Sequence, residues 1–195
     1  MVSSLRRQHA VFMGKTHTVE FAFGGLGVNS HWGTPRNPWD ANTHRVPGGS
    51  SCGAGVSLQE GSAWIALGSD TAGSVRVPAC MTGCVGLKTS FGRWSLEGIF
   101  PLSPTLDTAG ILTRTAEDAL LGFCAIDPAY QGRQAELMKE VESLEPASIC
   151  ISTGDTNLWD GCEPGIAEIV EEALGELGRA GVRMVESTVS ETEQA

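Results

Sequence analysis

The sequence has no histidine after His44, only three lysines, no C-x-x-C pair and no apolar run of membrane-spanning length. Each shortage excludes something. A membrane helix needs about 18 to 20 consecutive apolar residues, so none is expected. The start, MVSSLRRQHAVFMG, carries two arginines but no sustained apolar stretch. It is not read as a signal peptide, and the cytoplasm is the expected compartment. The six cysteines (Cys52, Cys80, Cys84, Cys124, Cys150 and Cys162) are irregularly spaced and have no histidine close by in sequence. They read as buried free thiols rather than a disulfide framework or a zinc site. The phosphate-loop pattern G-x-x-x-x-G-K-[ST] is missing, and no lysine follows Gly48-Gly49-Ser50-Ser51. No cofactor and no metal are expected.

Charged residues make up only 18% of the 195, and they sum to a net charge of -10 with a pI near 4.8. An acidic chain repels phosphate backbones, so direct nucleic-acid binding is not expected. Hydrophobic residues at 41% are sufficient for a core. The length suits one domain or a part of one.

The chain is rich in glycine, with 25, concentrated between Gly24 and Gly110. A loop-rich first half with closely packed backbone is expected, followed by ordinary α/β structure. Residues 11–13 read as a strand end, 18–23 (TVEFAF) as a short helix or a strand, with the helix preferred, and 51–61 as a helix opening on a glycine-serine loop. Residues 63–67 (AWIAL) read as a buried strand and 68–74 as a second loop, with 75–77 cut off by Pro78. Thr115 caps a helix over 115–125, which Asp127-Pro128 ends. Residues 148–152 read as a strand, and Pro164 opens a helix with an apolar face at Ile166, Ile169, Val170, Ala173, Leu174 and Leu177. A strand at 182–185 then completes a parallel βαβ unit.

The stretch VPGGSSCGAG, residues 46–55, matches the nucleophile-elbow pattern G-x-S-x-G at Gly49, Ser51 and Gly53. That elbow orders its triad with the histidine last. His9, His17, His31 and His44 all precede Ser51, so the elbow reading fails within this chain. A histidine-first triad would need His31 or His44, both in turn-rich polar stretches that suit surface or capping roles. A serine hydroxyl is a weak nucleophile without a base. A neutral lysine can serve, and a second serine can pass the proton between them. The later stretch GSDTAGSVRVP, residues 68–78, offers such a partner in Ser74. Successive N–H groups at Thr71, Ala72 and Gly73 can converge on one spot as an oxyanion hole. Asp70 can fix the loop by accepting backbone hydrogen bonds, and Arg76 can pair with a carboxylate beneath it.

These loops, with Ser50 and Ser74 24 positions apart, resemble the amidase signature family. The stretches that carry the resemblance are GKT (14–16), RNPWD (36–40), VPGGSS, GSDTAGSVRVPA, VGLKTSFGR, PLSPTLDTAG and TRTAEDA. The similarity runs from about residue 11 to 125 and more weakly to 186. The resemblance implies an α/β fold, a mixed sheet core with helices on both faces, incomplete in this chain. It implies Ser74 as nucleophile and Ser50, preceded by a cis peptide bond, as relay. The oxyanion hole maps to Thr71, Ala72 and Gly73, with Ser51, Asp70 and Arg76 in support. The G-x-S-x-G match around Ser51 is then a coincidence of composition.

The family's base is a lysine far upstream of the serine pair. Lys15 and Lys88 sit in other family landmarks, and Lys139 lies elsewhere. The chain is therefore expected to be a central fragment, residues 1–195 forming a partial domain that is inactive alone. Ala72 and Cys52 stand where glycine is common in the family, and an Ala72 with positive φ would be penalised. Three readings remain open. One is serine-dependent hydrolysis of an amide carbon–nitrogen bond in a small molecule. Another is the glutaminase component of a tRNA-dependent amidotransferase, working with its partner subunits. The last is a non-catalytic remnant. A homo-oligomer is compatible with the family.

Overall fold

The computed structural model of the chain describes residues 1–154 and 161–187. It divides into two compact units, Met1–Gln134 and the residues from Ala135 onward.

In the first unit, β1 (Ile65–Asp70), β2 (Val85–Lys88) and β3 (Thr108–Thr113) form an antiparallel sheet in the order β1-β3-β2. Strand β3 is buried along its whole length, because helices cover both faces. Alternation along the strands sorts the side chains. Ala66 and Leu112 point to one face, where they pack with Ala54 and Leu58 of α2 (Cys52–Gln59) and with Val75 and Ala79 at α3 (Arg76–Thr82). Ile65, Leu67, Leu87, Ala109 and Ile111 point to the other. There they meet Phe123 and Ile126 of α4 (Ala116–Ile126), Leu5 of α1 (Val2–Arg7), and Trp94. Leu58, Ile111 and Leu112 are fully buried, each contributing roughly 1.5–3 kcal/mol through the apolar surface it removes from water.

The helix α4 starts as its sequence indicates: the Thr115 hydroxyl accepts a hydrogen bond from the Asp118 N–H at 3.1 Å. At its far end, buried Asp127 accepts from Arg93 Nε at 2.7 Å, Trp94 Nε1 at 3.1 Å and the Ala129 N–H at 3.0 Å. This ties the segment after β2 to the end of α4. Only Cys52 and Cys124 are buried; Cys84 is half-buried and Cys80, Cys150 and Cys162 are exposed, all as free thiols.

Several local expectations are corrected. Residues 11–13 form no strand; Val11 and Met13 are 83% and 77% exposed. Residues 18–23 contain only a single 3-10 turn, Glu20–Ala22, in which Phe21 and Ala22 have φ of 52° and 58°. A left-handed pair of non-glycine residues cannot continue a helix. Pro78 does not cut off an extended segment. It is the third residue of α3, and proline is tolerated in a first helical turn whose N–H groups need no intrahelical partner. Strand β1 runs to Asp70, so Gly68, Ser69 and Asp70 belong to the sheet and the loop proper is 71–75.

The second unit contains most of α5 (Gln134–Glu142), then β4 (Cys150–Ser152), α6 (Ile166–Arg179) and β5 (Arg183–Val185). Strands β4 and β5 pair in parallel, Cys150 with Arg183 and Ser152 with Val185. The strand-helix-strand reading of this region holds. Gly165 is the N-cap of α6, so Pro164 precedes the helix rather than opening it.

Candidate active site

The site is assembled where two loops meet the end of β1. The first loop ends in Gly48, Gly49, Ser50 and Ser51, all buried. The Gly49–Ser50 peptide bond is cis, as the family resemblance implies. Backbone bonds anchor this loop to the preceding segment. The Gly49 N–H donates to the Gly25 carbonyl at 2.8 Å, and the Gly48 N–H to the Leu26 carbonyl at 3.2 Å. The Val19 N–H donates to the Ser50 carbonyl at 3.0 Å, and the Gly53 N–H to the His17 carbonyl at 2.8 Å.

The second loop follows Asp70, the last residue of β1. Asp70 is 1% exposed, and its carboxylate gathers five donors. Oδ1 accepts from the Gly73 N–H at 2.8 Å and Arg76 Nη2 at 2.9 Å. Oδ2 accepts from the Val75 N–H at 3.1 Å, the Arg76 N–H at 3.3 Å and Arg76 Nε at 3.1 Å. Burial alone would push the Asp70 carboxyl up. The Arg76 hydrogen bond and the Val75 and Gly73 N–H groups outweigh burial and hold it below the usual carboxylate range. Arg76 is raised in turn, chiefly by its bond to Asp70. Together they wind residues 70–76 into a fixed turn that contains half-buried Ser74.

The two loops are bonded directly: the Ser51 N–H donates to the Ser74 carbonyl oxygen at 3.1 Å. Ser51 is itself 4% exposed and stands at the N-cap of α2. Its hydroxyl lies under Gly68, where a Cβ on residue 68 would come within 2.6 Å of Ser51 Oγ. Ser51 is thus packed against the strand, while Ser50 and Ser74 belong to the two facing turns.

The loop residues divide in a way the sequence did not disclose. The Gly73 N–H is committed to Asp70, so it is not free for an oxyanion. Among the described residues, the N–H groups of Thr71 and Ala72 have no hydrogen-bond acceptor. The positive φ falls on Gly73, at 120°, and not on Ala72, so the alanine there carries no backbone penalty. Asp107, from PLSPTLDTAG, is a site residue that sequence reasoning passed over: it accepts the Thr71 hydroxyl at 2.5 Å. The signal available was an acidic residue inside a turn-rich stretch just before a strand. Among the described residues no lysine bonds to either serine; Lys88 Nζ donates to the Thr89 carbonyl at 2.7 Å and Lys15 is exposed. No group of histidine, cysteine and acidic side chains able to hold a metal occurs among the described residues.

The chain is 56% identical over all 195 residues to the 2-amino-5-chloromuconic acid deaminase of Comamonas testosteroni, covering 41% of that protein. It is 36% identical, again over its whole length, to a glutamyl-tRNA(Gln) amidotransferase subunit of Symbiobacterium thermophilum, covering 41% of it. The structure of the native peptide amidase from Stenotrophomonas maltophilia superposes with a TM-score of 0.77 at 30% identity, over 96% of this chain and 41% of that one. The chain therefore spans about two fifths of the length of these relatives. The amidase family matches residues 1–195, and the chain belongs to that family.

Proposed function

We propose that this chain carries the serine centre of an enzyme that hydrolyses a carbon–nitrogen bond in a small molecule. Ser74 Oγ attacks the carbon, and its proton passes through Ser50 to a lysine base supplied from outside these 195 residues. The tetrahedral oxyanion is held by the Thr71 and Ala72 N–H groups. At an amide carbonyl, its collapse expels the amine, which takes up the proton held by the lysine, and water then releases the acyl group from Ser74. Asp70 and Arg76 shape the turn, and Ser51 joins the two loops through its N–H. The observation that carries this reading is the bonded pair of loops, with Ser50 and Ser74 on facing turns and two N–H groups beside Ser74 that lack an acceptor among the described residues. General-base help is worth roughly 10² to 10⁴-fold in rate, and members of such a unit fail together. The chain alone is accordingly idle or nearly so. It needs no cofactor, and it works in the cytoplasm.

The Comamonas testosteroni relative, at 56% identity, favours ammonia as the leaving group. On an amino-substituted unsaturated acid Ser74 would add to the C=N carbon of the imine tautomer, ammonia would leave and water would replace Ser74, with no oxyanion formed. The amidotransferase relative, at 36%, supplies the second reading, in which ammonia comes from glutamine and partner subunits are required. A chimaera tests both. This chain replaces the matched segment of the Comamonas testosteroni deaminase, and ammonia release from 2-amino-5-chloromuconate is followed. Release that Ser74→Ala abolishes supports the proposal. Release that survives Ser74→Ala overturns it. Ammonia from glutamine, only with amidotransferase partner subunits present, selects the second reading. Failure of every such chimaera to turn over would leave the chain as a non-catalytic remnant.

A further inference from the structure

We infer that Asp107 is a positioning residue that locks the loop of Thr71 and Ala72 to the loop at 101–107, so that the two behave as one body. Asp107 is 4% exposed, and its carboxylate bridges segments 36 positions apart in sequence. Oδ1 accepts the Thr71 hydroxyl at 2.5 Å, while Oδ2 accepts the Leu102 and Ser103 N–H groups at 2.8 and 3.0 Å. The Leu106 and Asp107 N–H groups close the same loop on the Ser103 carbonyl, at 3.1 and 2.9 Å. The next residue reinforces the joint: the Thr108 hydroxyl donates to the Asp70 carbonyl at 2.8 Å.

The division of labour around the loop shows why this joint matters. Asp70 fixes the rear half, from Gly73 to Arg76. The front half has no such internal bond, since the Thr71 and Ala72 N–H groups have no acceptor among the described residues. Its position rests on the Thr71 side chain and on the Thr108 bond. A buried ionised carboxylate with three donors is a stiff link, because losing any donor leaves charge undersatisfied in a poorly solvated place.

The link reaches further round the site. The loop held by Asp107 follows Phe100, which is 79% exposed and whose ring lies 6.3 Å from that of Phe21. Phe21 belongs to the turn that follows Val19, and the Val19 N–H bonds the Ser50 carbonyl. The chain of contacts thus runs from the Ser50 loop through Phe21 and Phe100 to Asp107 and back to Thr71. Its bearing on catalysis rests on the proposed hydrolase reading; the mechanical link does not.

Amide hydrogen exchange on the 195-residue chain tests the link without any turnover. Thr71→Val removes the hydroxyl and keeps the shape. Exchange at the Leu102 and Ser103 amides is expected to quicken about tenfold or more, as for the loss of a buried charge-assisted bond. Thr71→Ser, which keeps a hydroxyl, is expected to restore wild-type exchange there; a packing effect of the lost methyl would not give that pattern. Ile111 and Leu112 report whether the sheet is intact. Wild-type exchange at Leu102 and Ser103 in the Thr71→Val chain overturns the inference. If that variant loses the sheet, Asp107→Asn is read at the Gly73 amide, which its bond to Asp70 protects: slowed or unchanged exchange there overturns the inference, and quickened exchange supports it. Failure of the hydrolase reading in the chimaera leaves these results unaffected.

Discussion

The Ser51 N–H and the Ser74 carbonyl oxygen are hydrogen-bonded at 3.1 Å. This one bond joins the two serine-bearing loops, which lead into different helices on the same face of the sheet. Ser51 opens α2, and Ser74 precedes α3. Both helices pack on that face through Ala54, Leu58, Val75 and Ala79. The precision of the site therefore depends on the core beneath it.

Asp70→Asn should destabilise the chain by about 2–4 kcal/mol. Breaking a buried ion pair costs roughly 3–5 kcal/mol, and the figure is reduced here because the Arg76 side chain is 53% exposed. The asparagine amide would also face donors that need an acceptor, namely the Gly73 and Val75 N–H groups. Urea titration would show it as a lower midpoint at an unchanged slope.

The acid limb of stability should be set by Asp70, Asp107 and Asp127. All three carboxyls are held below their usual range: burial opposes ionisation in each, but the Arg76, Thr71 and Arg93 hydrogen bonds respectively, with backbone N–H groups, outweigh it. A carboxyl with a depressed folded-state pKa gives its full stabilisation above the unfolded value, about 3.9. That stabilisation is lost as pH falls through the folded value. Thermal midpoints should be flat in this respect above about pH 5 and fall below about pH 4. The fall should be shallower in Asp127→Asn. An equally steep fall in that variant would count against the assignment for Asp127.

Gly68→Ala should disturb the site without removing any catalytic group. The new methyl would come within 2.6 Å of Ser51 Oγ and 3.0 Å of Val75 Cγ2. Overpacking of this kind costs roughly 1–3 kcal/mol. Leu112→Ala, a cavity in the same fully buried layer, should cost about 2–5 kcal/mol. Denaturation midpoints order the two, and in the chimaera only Gly68→Ala should lower ammonia release more than its loss of folded protein explains.

Ser50→Ala and Ser51→Ala should differ sharply although the residues are adjacent. A relay serine shares the worth of general-base help, roughly 10² to 10⁴-fold. Ser51 serves through its backbone N–H, which alanine retains. Steady-state rates of the two chimaera variants give the comparison. A similar loss in both would deny Ser50 its special role.

Much of this was legible in the residues alone. Thr115 capping α4, the strand-helix-strand order after residue 148 and the ordered motifs around Ser50 and Ser74 rest on short-range chemistry, which neighbouring residues decide. The TVEFAF turn and Pro78 misled, because periodicity cannot show that Phe21 and Ala22 turn left-handed or that α3 begins two residues before its proline. Partners were decided only by the tertiary fold. That Asp70 takes up the Gly73 N–H, and that Asp107 reaches Thr71, depends on β1 and β3 lying side by side with Asp70 opposite Thr108. Sequence determines which donors and acceptors a loop owns. Only the pairing of distant strands decides which of them are already spent and which remain for a substrate.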